Sequence, residues 1–294
     1  MLSAKRRSGR QRAGIVVAYI PTVIRGASIL NDGVSAKCIA SAVGILCVNN
    51  EKFEVEGIAV DTLTVGDASR EICDALSDGA SFCVYTINLD HVVKLRASEM
   101  FRRAYSRARF VLADGFPIVL AGRLQGQKVS RAAGSDLIDP LCEEAGRRGI
   151  PVFLLGSTHD VLSKTAQELK SRYPSLLISG LYAPPAEFDV TGDGAREAID
   201  MLRSAGGGIC LVALGAPKQE IFADRCTRDV SGMAFICIGA GLDFIAGTQK
   251  RAPRVFQRSG LEWLWRLASN PGRLGRRYAE CVKVMPSVLF GRTK

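Results

Sequence analysis

Histidine is almost missing from this chain: His91 and His159 are the only two in 294 residues. A histidine-rich metal site is thereby excluded, since such a site gathers two or three imidazoles around one ion. Cysteine is commoner, at nine, but the count is odd and no Cys-Xaa-Xaa-Cys pair occurs. Several cysteines lie within apolar runs, among them Cys83, Cys210 and Cys237. Buried free thiols in a reducing compartment fit this pattern better than disulfides or a zinc site. Long apolar runs are absent too. None reaches the roughly 18–20 residues that a bilayer-spanning helix needs. The nearest, AGIVVAYIPTVI at 13–24, contains Pro21 and is closed by Arg25. With basic residues before it, this run mimics a secretory signal. The thiol pattern argues against export, so residues 1–50 read as a poorly ordered basic leader or an over-extended start.

No Asp-Xaa-Asp pair sits at a strand end, so no obvious carboxylate pair would hold a divalent cation on a diphosphate. Gly239-Ala240-Gly241 resembles the opening of a dinucleotide fingerprint, but the third glycine is missing and no early strand–helix–strand unit carries it. Neither a metal nor an organic cofactor is expected.

What is present is a core and an uneven charge. Hydrophobic residues make up 47% and charged residues 23%, the balance of a globular chain and not a disordered one. The formal charge of +10 is concentrated at the ends: residues 1–25 carry +6 and 250–294 carry +9, which leaves −5 for 26–249. Basic ends on a mildly acidic middle should face something anionic, whether phospholipid, a lipid diphosphate or nucleic acid.

Between the ends, apolar runs of strand length alternate with helical patterns. ASFCVYTIN (80–88), RFVLADG (109–115), IPVFLLGS (150–157), LLISGLY, GICLVALG (208–215) and MAFICIGAG (233–241) read as strands. DHVVKLRASEMFRRAYSRA, FPIVLAGRLQ, DVLSKTAQELKSRY, GAREAIDMLRSA and APKQEIFADRC read as the helices between them. Continuous rather than alternating apolar strands imply a sheet buried on both faces. The expected fold is therefore α/β, a Rossmann-like parallel sheet with helices on both faces, followed by a basic helical C-terminal appendage. The domain reading is a leader at 1–50, an α/β core at 51–249 and a basic, tryptophan-containing appendage at 250–294.

In such a sheet ligands gather at the carboxyl ends of the strands. That rule selects Thr86 and Asn88, Asp114 and Gly115, Gly156 to Thr158, Gly215 to Gln219, and Gly239 to Asp243. In LGAPKQE, Gly215 allows close backbone approach and Pro217 suits the first turn of a helix. Free N–H groups there, with Lys218, would suit a phosphate or diphosphate. Gln219 could point into the same crevice, or the segment could be an ordinary strand–helix turn. Asp114 could accept a proton from a sugar hydroxyl, or it could be a turn or capping residue. Thr86 and Asn88 are equally open between site and helix cap. In the tail, Arg251, Arg254 and Arg258 lie at helical spacing, beside a surface of Leu261, Trp263, Leu264, Trp265 and Leu267. This is an amphipathic element on anionic lipid, a clamp over a diphosphate, or a packed helix with solvated arginines. A non-enzymatic lipid or nucleic-acid binder and another nucleotide-dependent α/β enzyme stand as alternatives, although no nucleic-acid-binding module is present.

From about Phe53 to about Tyr278 the chain resembles the WecG/TagA/CpsF family of bacterial glycosyltransferases. The motifs that carry the resemblance are TINLDH, LADGFP, RAAGSDL (131–137), VFLLGS, LGAPKQE and GLDFIAGTQKRAPRVFQRSGLEWLWRL. The resemblance implies inverting, metal-independent transfer from a UDP-sugar to an undecaprenyl-diphosphate-linked saccharide at the cytoplasmic membrane surface, with no nucleic acid involved and homo-oligomerisation open. It places Asp114 at the catalytic base, Thr86, Asn88 and Gln219 at substrate positions, and Arg251, Arg254 and Arg258 in an appendage that completes the site. Thr86-Ile87-Asn88-Leu89-Asp90-His91 departs from the Thr-Pro-Asn form of members using an N-acetylmannosamine donor, and looks more like the exopolysaccharide branch with its xanthan-type glucosyltransferases.

Overall fold

A computed structural model describes residues 51–253, 256, 265, 267–268 and 271–291. All of them fall within one compact unit, Asn49–Lys294. Arg254, Arg258 and Trp263 lie outside the described residues, as does the whole 1–50 segment.

Eight strands form one sheet: β1 (Lys52–Val55), β2 (Ile58–Asp61), β3 (Phe82–Ile87), β4 (Phe110–Ala113), β5 (Val152–Gly156), β6 (Ile178–Tyr182), β7 (Gly208–Ala213) and β8 (Met233–Cys237). Their spatial order is β1-β2-β4-β3-β8-β7-β5-β6. Every pairing is parallel except the β1–β2 hairpin. The helices are α1 (Val65–Ala75), α2 (Leu89–Ala97), α3 (Glu99–Arg107), α4 (Phe116–Leu124), α5 (Ile138–Arg148), α6 (His159–Arg172), α7 (Gly194–Ser204), α8 (Lys218–Asp229), α9 (Gly241–Ile245) and α10 (Pro271–Phe290). The expected Rossmann-like α/β architecture is the one observed.

The central strands are buried along their whole length, and alternate residues enter opposite layers. Cys83, Tyr85 and Ile87 of β3 join Phe101 and Tyr105 of α3, Ile118 of α4, Ile199 of α7 and Phe222 of α8 in one core. Phe82 and Val84 join Ile72 of α1, Leu141 of α5 and Leu162 of α6 in the other. Two separate apolar layers explain why the strands read as continuous hydrophobic runs. All seven described cysteines are buried and unbonded, in accord with the free-thiol reading.

Three elements differ from the sequence reading. The single helix expected after β3 is two, because Ser98 adopts extended angles (φ −134°, ψ 114°) and its hydroxyl accepts from Phe101 N–H, starting α3 afresh. The β1–β2 hairpin and α1 were not read at all. The hairpin turns on Glu56 and Gly57, both at positive φ, and α1 is capped by Thr64, whose hydroxyl accepts from Asp67 N–H. At the other end of the chain α10 lies against α2 and α4. Val284 and Val288 of α10 enter the same core as Phe101 and Ile118. No helix among the described residues is long and apolar enough to cross a membrane.

Candidate active site

The parallel order brings the carboxyl ends of β4, β3, β8, β7 and β5 side by side. The chain leaves β7 toward β8 but leaves β5 toward β6, so the connections diverge between these neighbours at their carboxyl edge, the place where open α/β sheets bind their ligands. Most of the residues anticipated from the sequence sit on this edge.

Asp114 follows β4 directly. Its N–H donates to the carbonyl of Ile87 at the end of β3 (2.9 Å), which locks the two strand ends together. The Asp114 carboxylate accepts from Asn88 Nδ2 at 3.3 Å, and Arg131 Nη1 stands 3.8 Å from its other oxygen. With its side chain 25% exposed, the carboxylate is held on two sides and reachable from solvent. Asn88 is a helix cap that also touches Asp114. Its Oδ1 caps α2 by accepting from His91 N–H (3.1 Å) while its amide donates to Asp114, so the helix cap fixes which face of the amide meets the acid. Gly115, at φ 87°, turns the chain into α4 in a conformation that L side chains rarely adopt.

Thr86 is buried in β3, and its carbonyl anchors a polar cluster beneath the edge. The Tyr105 hydroxyl donates to Thr86 O at 2.6 Å, and His91 Nδ1 lies 2.7 Å from both Thr86 O and Tyr105 Oη. Burial, aided by the Lys94 charge, depresses His91 to about 4. It is a neutral core histidine at physiological pH.

The LGAPKQE turn is more inward-looking than expected. Gly215 is exposed at φ 72°, but two N–H groups of the following turn are already used, Gln219 N by Gly215 O and Ile221 N by Pro217 O. Lys218 is exposed and reaches the carbonyl of Phe188 at 3.5 Å, in the loop after β6. Gln219 is buried and cross-links two strand ends: Oε1 accepts from Gly239 N–H (3.1 Å) and Nε2 donates to Glu220 Oε1 (2.8 Å). Glu220 is fully buried, and burial pushes its carboxyl up to about 7. Gly156, at φ 109°, abuts the Ala213 carbonyl of β7, from which a Cβ would stand 2.4 Å. Its role is close strand packing. Next to it, Ser157 Oγ donates to Asp243 at 3.3 Å.

Arg251 is the one described member of the arginine trio. Its Nη2 meets Asp136 Oδ1 at 2.5 Å, and its guanidinium lies over the Phe244 ring. Asp136 also accepts from Arg131 Nη2 (2.6 Å), so a chain of ion pairs runs Asp114, Arg131, Asp136, Arg251. The sequence reading missed Arg131 and Asp136, although both belong to the RAAGSDL motif. It also missed Asp90, which lies in the first turn of α2. Arg277 Nε and Nη2 of α10 each donate to Asp90 at 2.6 Å, and Lys94 pairs with it too. Burial by itself would raise the Asp90 carboxyl, but Lys94 and Arg277 outweigh it and hold the group below its usual value. Among the described residues no group of three or more His, Cys, Asp or Glu is placed to hold a metal ion.

The fold is thus a mostly parallel α/β sheet whose carboxyl edge carries a partly exposed carboxylate, an amide that contacts it and two arginines. Residues 53–294 match the family described as glycosyl transferase WecG/TagA/CpsF. The chain belongs to this family, and it is a glycosyltransferase of cell-surface polysaccharide synthesis.

Proposed function

We propose that the protein is an inverting, metal-independent glycosyltransferase that moves a sugar from a UDP-sugar to an undecaprenyl-diphosphate-linked saccharide. The single observation that carries this reading is the setting of Asp114, clasped by Asn88 and faced by Arg131 at a solvent-reachable strand end. Asp114 takes the proton of the acceptor hydroxyl as that oxygen attacks the anomeric carbon from the face opposite UDP. The C–O bond to UDP breaks as the new bond forms, and the diphosphate leaves as the anion. Arg131 and Arg251 stand on the same edge and supply positive charge for it. Gly215, Lys218 and the Gln219–Gly239 cross-link shape the floor on the β7 side, with Thr86 and Gly156 beneath.

The 51–249 segment is the proposed catalytic core, and 250–294 the appendage that brings it to the cytoplasmic membrane face. The outward side of α10 suits that task. Arg276, Lys283, Val282 and Phe290 are exposed on it, Phe290 at 79%, and basic residues among exposed apolar ones favour anionic lipid interfaces. The Thr86–His91 sequence favours a hexose donor of the exopolysaccharide branch.

A screen of UDP-sugars against a short-chain lipid-diphosphate acceptor tests the reading. It predicts transfer with inversion from at least one UDP-sugar, undiminished by EDTA. Activity abolished by EDTA and restored by Mg²⁺ or Mn²⁺ would remove metal independence, and transfer from no UDP-sugar would remove the donor class.

A further inference from the structure

Helix α4 is apolar on nearly every side, but only one side of it is covered. Ile118, Val119, Ala121 and Gly122 are buried, and the first two enter the same core layer as Val284 and Val288 of α10. A helix that is apolar all round belongs in an interior. Yet Phe116 and Leu124 are 52% and 56% exposed, and Leu120 between them is half-buried. The three are spaced i, i+4 and i+8, so they form a stripe along one side. It runs for about 12 Å, from the Asp114 end of the helix to its far end. That far end is fixed: the Gln125 amide donates to Glu54 O of β1 at 2.9 Å and accepts from Glu54 N–H at 3.2 Å.

The stripe has a counterpart on α10, which lies against α4. Val282, Pro286 and Phe290 have the same spacing and are exposed. These two touching helices carry four of the seven large hydrophobic side chains exposed among the described residues. The charge around the α4 stripe is of one sign. No Asp or Glu occurs from 115 to 135, a stretch that holds Arg123, Lys128 and Arg131, and Arg123 and Lys128 are exposed. Arg276 and Lys283 are exposed on α10, whose one acid, Glu280, pairs with Lys283 at 2.7 Å. Exposed apolar side chains among cations suit the anionic surface of a bilayer, where the first enter the acyl boundary and the second meet phosphates. A second copy of the chain fits less well, because a two-fold contact would set the same cations against each other. We propose that α4 is a membrane-contact element in its own right: Phe116, Leu120 and Leu124, flanked by Arg123 and Lys128, rest on anionic phospholipid beside α10. The lipid of the acceptor then reaches the strand-end edge along a surface that begins two residues from Asp114. The inference rests on the reading of a lipid-borne acceptor.

The test is co-sedimentation of the full chain with vesicles of phosphatidylcholine, with and without phosphatidylglycerol. Leu124→Gln should weaken binding to the phosphatidylglycerol vesicles by about four- to twelvefold, the fold-change for burying the exposed half of a leucine. Lys128→Ala should weaken it by about fivefold, and only where phosphatidylglycerol is present. Leu177→Gln is the control. It removes an equally exposed leucine, at 56%, just before β6 at the opposite edge of the sheet, and it should bind as wild type does. Wild-type affinity in Leu124→Gln, an equal loss in Leu177→Gln, or binding that ignores phosphatidylglycerol would overturn the proposal. So would a wild-type dimer that Leu124→Gln dissociates in sedimentation velocity while vesicle binding stays unchanged, which would give the face to a second copy. Transfer to a short-chain acceptor in solution, assayed alongside, keeps the two claims apart, and all three variants should match wild type there. Should Leu124→Gln fail both assays, Lys128→Ala decides by its phosphatidylglycerol-dependent loss or its wild-type binding. No transfer by any of the proteins sinks the UDP-sugar reading, while lost vesicle binding by Leu124→Gln still upholds the α4 contact. Normal transfer with undiminished vesicle binding sinks the α4 contact alone.

Discussion

Replacing Arg277 with alanine breaks the two hydrogen bonds that tie α10 to Asp90, and the structure says how far the helix should then loosen. The pair is bidentate and charge-assisted, at 2.6 Å for each bond. A charged hydrogen-bonded pair of this kind contributes about 1.5–3 kcal/mol when protected from solvent. Arg277 is 45% exposed, so about 1–2 kcal/mol is the better expectation. Against this stand the apolar contacts of the same helix. Leu274, Cys281, Val284 and Val288 are each less than a tenth exposed, and a fully buried valine or leucine contributes about 1.5–3 kcal/mol. Their combined burial outweighs the ion pair several-fold, so α10 should stay docked without it. The expected result for Arg277→Ala is a fall in Tm of roughly 2–8 °C for a unit of this size. Hydrogen exchange of α10 amides should quicken by about five- to thirty-fold without reaching the unprotected rate. Val288→Asp should release the helix, because it places a charge in the apolar layer. The pH sign follows from the depressed Asp90 carboxyl: the stabilisation is present above its ordinary value near 3.8 and is lost as pH falls through the lower folded value. The difference between wild type and Arg277→Ala should therefore be full at neutral pH and fade in acid. Complete loss of protection in Arg277→Ala at pH 7 would refute the reasoning, because it would make the ion pair and not the apolar face what holds the helix.

Glu220→Gln should stabilise the protein at alkaline pH. Burial raises the Glu220 carboxyl from 4.5 to about 7, so wild type loses stability as pH rises through that range, on the order of 3 kcal/mol. The Tm gap between the two proteins should widen from near zero at pH 4.5 to several degrees at pH 8, and parallel curves would contradict this. Gly156→Ala combines a φ of 109° with a Cβ placed 2.4 Å from the Ala213 carbonyl. Strain and overlap together should cost about 2–5 kcal/mol, a Tm lowered by roughly 5–15 °C; a wild-type melting curve would show that the β5–β7 contact is looser than described.

The sheet was legible because its strands are buried on both faces, which makes FCVYTI, VFLLG and GICLVA stand out as unbroken apolar runs. The break at Ser98 was not, since its capping role depends on a backbone turn that helical periodicity conceals. The β1–β2 hairpin carried a readable sign in Glu56-Gly57, a turn pair between alternating residues. Asp114 and Asn88 were found by counting to the ends of strands. Arg131 and Asp136 were not, because their place beside Asp114 depends on Gly134 fitting against β8, a contact about a hundred residues distant in sequence. At Lys218 and Gln219 the side-chain directions were not legible: Gln219 turns inward to Gly239 and Lys218 reaches toward Phe188. The tail, strongest in its charge signal, is described beyond Pro253 only at isolated positions and in α10.

The central claim is that Asp114 is the base of a UDP-sugar-dependent transfer. The direct measurement is initial-rate transfer by Asp114→Asn with a UDP-sugar and lipid-diphosphate acceptor that the wild type turns over, beside UDP affinity by calorimetry. The expected result is a loss of about 10²- to 10⁴-fold in kcat with UDP affinity within a few-fold of wild type. Near-normal transfer by Asp114→Asn would contradict the account.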